Sequence, residues 1–407
     1  MCVQFLIFDF DYHPKNSRIR REVIKKLLLL ILFFLPNSSL IGDDPQRAGT
    51  IPNYVNVFQQ GFVLESLSGY GFSSATYSPI FNIGSGNPAS ATDFSQFSVG
   101  FSYQANTKID PFALSDVTFQ RVNNFIPQSA GMVYPFQSFR IGAGFSQKYS
   151  AELRIEDIPI RTIQYPEGTG EYATSISKNS IYSMSALASY QFASLIANED
   201  QLSLGIQTNM NLLRSRASIY NSTIKLSDQE INWKFGFRYA YHHQSVEKLQ
   251  FGLTYESKIN FSGYYEYNPE PILPPGAVPN PAILTYPAKL KFGFLLESNS
   301  TFGIYNDFIY NFWEDMYPYN KNKLDLAGGV AVGANDGLLV SVGYYLFESY
   351  ANNETESEII GDTFFISGGL VLRYKLIDFH LVFADSHLYS PKGSRQTIGK
   401  LGVGFNL

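Results

Sequence analysis

Lys234 and Arg238 stand four residues apart, and Lys289 and Lys291 stand two apart, in segments whose intervening positions are mostly apolar or aromatic. Residues spaced by two or four share one face of a β-strand. Arginine's planar fork suits bidentate binding of a carboxylate, and lysine adds a compact point charge. The four cations are therefore candidates to hold an anionic head group. They would serve equally in a structural network with Glu256 or Asp307. Catalytic chemistry has little to build on. His242 and His243 are adjacent, His380 and His387 lie far along the chain, and no His-x-x-x-His or carboxylate-flanked metal spacing occurs. The single cysteine, Cys2, precedes an apolar leader and leaves no disulfide, thiol nucleophile or cysteine metal site downstream. No catalytic residue, metal or cofactor is expected, and no enzyme.

A second candidate site is a loop over 265–286. Its prolines stiffen it, and Ile272, Leu273, Val278, Ile283 and Leu284 offer apolar surface. Such surface suits capture of an apolar ligand, or a rigid loop folded over its own apolar residues. The segment 105–129, with Phe112, Leu114, Val117, Phe119 and Val122, is a candidate to join it as a short helix.

These residues are positioned by a repeating pattern. From about residue 94 to the end, fourteen runs alternate apolar residues with small or polar ones. In the last, Leu401, Val403, Phe405 and Leu407 share one face, and Lys400, Gly402, Gly404 and Asn406 the other. The strands are expected at 94–104, 130–136, 139–149, 181–193, 201–216, 230–242, 248–264, 287–297, 301–312, 323–333, 337–348, 362–375, 377–385 and 396–406. Short and long connections alternate strictly between them. Aromatic-rich alternating strands with this loop pattern are the signature of an antiparallel transmembrane β-barrel. The chain carries 28 Tyr and 34 Phe in 407 residues, and only 16% charged residues. That balance suits aromatic girdles and argues against a nucleic-acid partner. In the run 231–241 the odd positions, from Ile231 and Trp233 to Tyr241, are apolar or aromatic. The even ones include Lys234 and Arg238. A lysine or arginine facing lipid at the midplane costs about 2–4 kcal/mol, so both should face the lumen, with Lys289, Lys291, Asp307, Arg373 and His380.

Residues 18–42 read as a secretory signal, with Arg18, Arg20, Arg21, Lys25 and Lys26 ahead of an apolar run at 27–35. The first 17 residues do not fit an ordinary signal, and Val23 would make a more normal start. Residues 1–42 are thus expected to be extension and signal, 43–93 a compact irregular segment rich in glycine and aromatics, and 94–407 the barrel.

Just ahead of the first strand stands Gly84-Ser85-Gly86-Asn87-Pro88-Ala89-Ser90-Ala91. Asn87-Pro88-Ala89 closing an irregular N-terminal segment resembles the outer-membrane transporters of the FadL/TodX type, which carry long-chain fatty acids and aromatic hydrocarbons. Gly69-Tyr70-Gly71-Phe72 upstream has the same flavour. Ala130-Gly131-Met132-Val133-Tyr134-Pro135-Phe136 before Arg140-Ile141-Gly142 is similar to that family's second strand, turn and third strand. The resemblance implies a fourteen-stranded barrel plugged by an N-terminal hatch, in the outer membrane of a diderm bacterium. It implies passive uptake of hydrophobic small molecules, long-chain fatty acids first among them. The steps are capture by the outer loops, binding in the lumen and release past the hatch or through the wall. Outer-membrane lipid and the barrel-assembly machinery are the other implied partners. Two rivals stand beside this reading: a PorV-type barrel serving protein secretion or surface attachment, and a general porin without a plug.

Overall fold

The computed structural model describes residues 67–106, 112–114, 117–120, 124–160, 164–165, 168–193, 200–219, 222–243, 246–268, 282–298, 302–312, 322–334, 337–347, 362–390 and 395–407. The signal assigned to 18–42, and residues 43–66 of the irregular segment, lie outside these.

Fourteen antiparallel strands close a barrel. They are β1 (Ser98–Asn106), β2 (Asn124–Phe136), β3 (Phe139–Pro159), β4 (Tyr172–Ala193), β5 (Asp200–Ile219), β6 (Ser222–His243), β7 (Val246–Glu256), β8 (Lys289–Ser298), β9 (Phe302–Asn311), β10 (Lys323–Ala334), β11 (Leu338–Phe347), β12 (Thr363–Tyr374), β13 (Ile377–Asp385) and β14 (Thr397–Asn406). Each pairs with its sequence neighbours, and β14 returns to β1 in a continuous register from Ser98↔Asn406 to Asn106↔Ile398. Closure leaves no unpaired strand edge along that seam.

Six connections of two to six residues gather at one end, with the start of β1 and the end of β14. The long connections emerge at the other. We call these the turn end and the loop end. At the loop end β3, β4, β5 and β6 continue well past the other strands, each with 20 to 22 residues. Much of the connection expected at 150–180 is therefore strand. The single strand expected over 248–264 is broken at Ser257 and Lys258 into β7 and a piece at Ile259–Gly263, which pairs with Ala282–Tyr286 as a separate hairpin. The short helix expected within 105–129 is instead a pair of short strands, Phe112–Leu114 and Val117–Gln120. Alternating β-branched and aromatic residues there favour extended backbone.

The faces fall as the side-chain period requires. Ile231 and Trp233 are 61% and 47% exposed on the outside, whereas Lys234 and Arg238 are each 1% exposed inside. Lys291, Asp307, His380 and Lys400 are likewise buried. Residues 67–93 form no strand. They run as turns with two short 3-10 stretches, Ile80–Asn82 and Pro88–Asp93, and nearly every residue among them is buried.

Candidate functional site: the plugged lumen

Residues 67–93 lie inside the barrel, because their hydrogen bonds run to lumen-facing side chains all around the wall. On β9, Asp307 Oδ2 accepts from the Ser74 and Ala75 amides at 2.6 and 3.0 Å. On β14, Lys400 donates to Asn82 Oδ1 at 2.9 Å. On β13, His380 Nδ1 accepts from the Gly69 amide at 3.2 Å, while Ser341 on β11 donates to the Gly69 carbonyl at 2.7 Å. Arg373 reaches the Tyr70 hydroxyl at 2.6 Å. Gln207 on β5 donates to the Gly84 carbonyl at 2.6 Å, and Arg140 to the Phe94 carbonyl at 2.6 Å.

Where no bond forms, the wall is glycine. A Cβ on Gly252 would sit 1.9 Å from the Ala75 carbonyl oxygen, one on Gly131 2.3 Å from the Ile80 oxygen, and one on Gly205 2.5 Å from the Ala89 nitrogen. Glycine at these lumen-facing positions lets two backbones approach to contact.

The Asn87-Pro88-Ala89 motif has a mechanical explanation. Asn87 Oδ1 accepts from the Ala89 amide at 2.9 Å, capping the 3-10 stretch, and Pro88 occupies the first position where no amide is needed. Asn87 Nδ2 donates to the Ala75 carbonyl at 2.7 Å and to the Phe237 carbonyl of β6 at 3.0 Å. One side chain therefore shapes the segment, folds it on itself and ties it to the wall. Pro88 packs over Gly236, and Ala89 is fully buried beside Gly205. Asn87→Ala removes three hydrogen bonds, worth about 2–4 kcal/mol together. We expect the seating of the segment to loosen by that amount while the melting of the barrel stays unchanged. Accessibility of a cysteine placed at Ser90 to a membrane-impermeant thiol reagent reads the first, and heat-modified gel migration the second. Pro88→Gly should act the same way, more weakly.

The four candidate cations are all placed. Arg238 pairs with Asp93 and donates to Thr92 Oγ1 at 2.9 Å. Burial alone would raise the Asp93 carboxyl, but the Arg238 charge and hydrogen bond hold it below the usual carboxylate range. Lys234 donates to the Ser85 carbonyl at 2.9 Å and lies 3.2 Å from Glu256 Oε2. Glu256 also pairs with Lys148, and the strand register sets Lys289 opposite it. Lys289 donates to the Tyr286 hydroxyl at 2.7 Å. Lys291 is buried one lumen position further along β8. The partner expected from Glu256 is thus found, whereas Asp307 binds backbone amides of the inner segment.

β5 shows how the lumen is layered on this side. Ser203, Gly205 and Gln207 meet the inner segment, at Thr92, at Pro88 and Ala89, and at Gly84. Asn209 and Asn211 come next and donate to Asn232 Oδ1 at 3.0 and 2.9 Å, joining the Lys148, Lys234 and Glu256 group through Asn232. Leu213 follows, in an apolar cluster with Ile181, Leu226, Ile259 and Phe261. Leu284 of the candidate capture loop is half-buried against that cluster. Ile283 pairs in the same hairpin opposite Ser262, while Ile272, Leu273 and Val278 lie outside the described residues. Across the lumen, Leu67 and Phe72 join Ile309, Phe365, Val382 and Ile398 in a second apolar cluster.

The wall has one discontinuity beside the charged layer. β2 and β3 are paired from Phe136↔Phe139 to Ser129↔Ser146 and no further. Beyond that point residues 124–127 stay on β1 and 149–155 stay on β4. Each strand carries an extra residue where they part, Gln128 in β2 and Lys148 in β3. A bulge turns a side chain out of the strict alternation, which is how Ser146, Gln147 and Lys148 are all buried in succession. Lys148 is the functional residue that alternation did not reveal; three consecutive polar residues inside a strand were its only trace.

No family model matches the chain, and no curated protein matches it in sequence. Solved structures do match in fold. A FadL homologue from Pseudomonas aeruginosa is 12% identical with a TM-score of 0.56, over 84% of this chain and 98% of its own. The toluene transporter TbuX from Ralstonia pickettii is 13% identical with a TM-score of 0.58, over 86% and 99%. The monoaromatic hydrocarbon channel CymD is 14% identical with a TM-score of 0.58, over 85% and 99%. The chain has the fold of these channels along nearly their whole length.

Proposed function

We propose that this protein is an outer-membrane channel for passive uptake of hydrophobic small molecules, and that its substrates are amphiphiles with an acidic head, long-chain fatty acids foremost. The observation that carries the proposal is the filled lumen. A porin needs a continuous water path, whereas here residues 67–93 are bonded to the wall on many sides. Apolar clusters line the loop-end half on both sides. The shared fold with hydrocarbon and FadL-type channels supports the same class of cargo.

The acidic head is supported by the charge count of the middle layer. Lys148, Lys234 and Lys289 surround the single carboxylate Glu256, with Lys291 beyond. An anion entering that layer meets net positive charge in a setting drier than bulk water, where attraction is stronger. In this scheme the loop over 265–286 collects the substrate and the chain settles against the apolar clusters. The head group then reaches the lysines. Release follows either past the segment 67–93, acting as a hatch, or through the wall. The parting of β2 and β3 beside Lys148 supports the wall.

The test is uptake of labelled oleate by cells lacking their own fatty-acid transporter, with the folded barrel verified at the surface. Uptake should appear with the wild-type chain and fall roughly tenfold in Lys148→Gln combined with Lys289→Gln, the order expected from losing two charge-assisted contacts. A folded barrel that takes up toluene but not oleate would overturn the acidic head group and leave the channel. A folded barrel that takes up neither would overturn the proposal.

A further inference from the structure

On the outer wall, β10, β11 and β12 enclose an open apolar groove of about 800 Å³, lined by Gly329, Val330, Val342, Gly343, Tyr344, Phe364, Ile366 and Tyr389. It is built by glycine. Gly328 and Gly368 occupy outward positions opposite Tyr344 and Val342 in the register, so two side chains are missing from the wall. The Gly329↔Gly343 pair leaves bare backbone as a floor. Tyr344 leans over Gly328, where a Cβ would lie 2.9 Å from its ring. Its hydroxyl is turned aside to Asn306 Oδ1 at 3.1 Å. The polar atom is thus satisfied within the wall and the ring is left to the groove.

The loop-end rim is also constructed. Tyr344 stacks on Phe364 with centroids 6.2 Å apart, and Phe364 meets Tyr389 edge-on at 5.5 Å. Ser390 accepts from the Phe364 amide at 2.9 Å, which pins the Tyr389 turn to β12. Arg395 donates to the Ser390 carbonyl at 3.0 Å, so a cation stands just past the aromatic rim.

We infer that this groove is a binding site for one acyl chain of a phosphate-bearing membrane lipid in the leaflet at the loop end, distinct from the lumenal route. The inference rests on the membrane-spanning reading above. The bilayer is what covers an outward wall at this depth, the lining is apolar, and its shape is a trough and not a flat face. An aromatic rim followed by a cation matches the order of chain, interface and head group met on leaving the hydrocarbon.

The experiment embeds the purified full-length barrel in phosphatidylglycerol/phosphatidylcholine vesicles carrying a phosphatidylglycerol with a photoactivatable diazirine on its acyl chain, then maps cross-links by peptide mass spectrometry. Label should be enriched several-fold on peptides holding Val330, Val342 and Ile366 over the outward peptide 231–241. Gly368→Phe should abolish that enrichment. A Cβ at Gly368 meets nothing within 4 Å, so the variant fills the trough without disturbing the fold. Val342→Phe is a second filling variant and should act alike. Uniform label around the wall, or enrichment that survives both fillings, overturns the site. Cross-linked pairs of barrels joined at these peptides overturn it in favour of a second copy. Absence of label from every wall peptide overturns the membrane reading as well.

Discussion

Deleting residues 50–90 leaves a barrel that still closes, and raises its ion conductance roughly tenfold, because an unplugged barrel of this width is a water channel. Closure does not depend on the inner segment: β1 finds both of its partners, β2 and β14, through backbone pairs. Nor does removal strand buried polar groups. Asp307, Lys400, Gln207 and Arg238 lose protein partners, but they then line a water-filled lumen that can hydrogen-bond them. What is lost is apolar packing, chiefly Ile80 and Ile83 on Val133 and Leu187, and Phe72 in the opposite cluster. Heat-modified gel migration checks folding, and planar-bilayer recording reads conductance. A folded deletion barrel that conducts like the wild type would mean that residues 67–93 do not govern the aqueous path, and the hatch assignment would fail.

The strands were legible because a period of two is a strong signal when one face must meet an apolar surroundings and the other a lumen. All fourteen barrel strands coincide with alternating runs, and Lys234 and Arg238 face inward as the cost of a charge in lipid requires. The ends were less legible. β3 and β4 continue as a two-stranded ribbon past the point where their outward residues stop being apolar, so hydrophobic alternation ends before the hydrogen bonds do. The site was legible in its residue types and not in its partners. Lys234 and Arg238 were expected near a substrate, yet they hold Ser85, Thr92 and Asp93. Pairing inside a barrel depends on a segment that has no period of its own. Lys148 was hidden for a related reason, since a bulge shifts the phase of the pattern that would have revealed it. The wall glycines were visible all along, but a glycine inside a strand reads equally as weakness or as close approach. Only the position of Ala75 against Gly252, or Ile80 against Gly131, decides between them.

That decision can be tested directly. Gly252→Val should evict the inner segment from its seat without unfolding the barrel. The new Cβ would stand 1.9 Å from the Ala75 carbonyl oxygen and 2.5 Å from its carbon, a contact with backbone that no rotamer change relieves. Valine suits a strand position, so β7 itself is not penalised. The strain falls on the turn at Ser74 and Ala75, whose amides are held by Asp307 on β9. Overpacking of this kind costs about 1–3 kcal/mol or more, comparable to the Asp307 hydrogen bonds that resist it, so the seated state should lose its advantage. Conductance should rise toward that of the deletion barrel while gel migration stays that of a folded protein. Gly368→Val is the matched control, because its Cβ points outward into open space and should leave conductance unchanged. If Gly252→Val conducts like the wild type while folded, the close approach of wall and segment is not what seals the lumen, and the bonds made by Asn87 and Asp307 must carry that role alone.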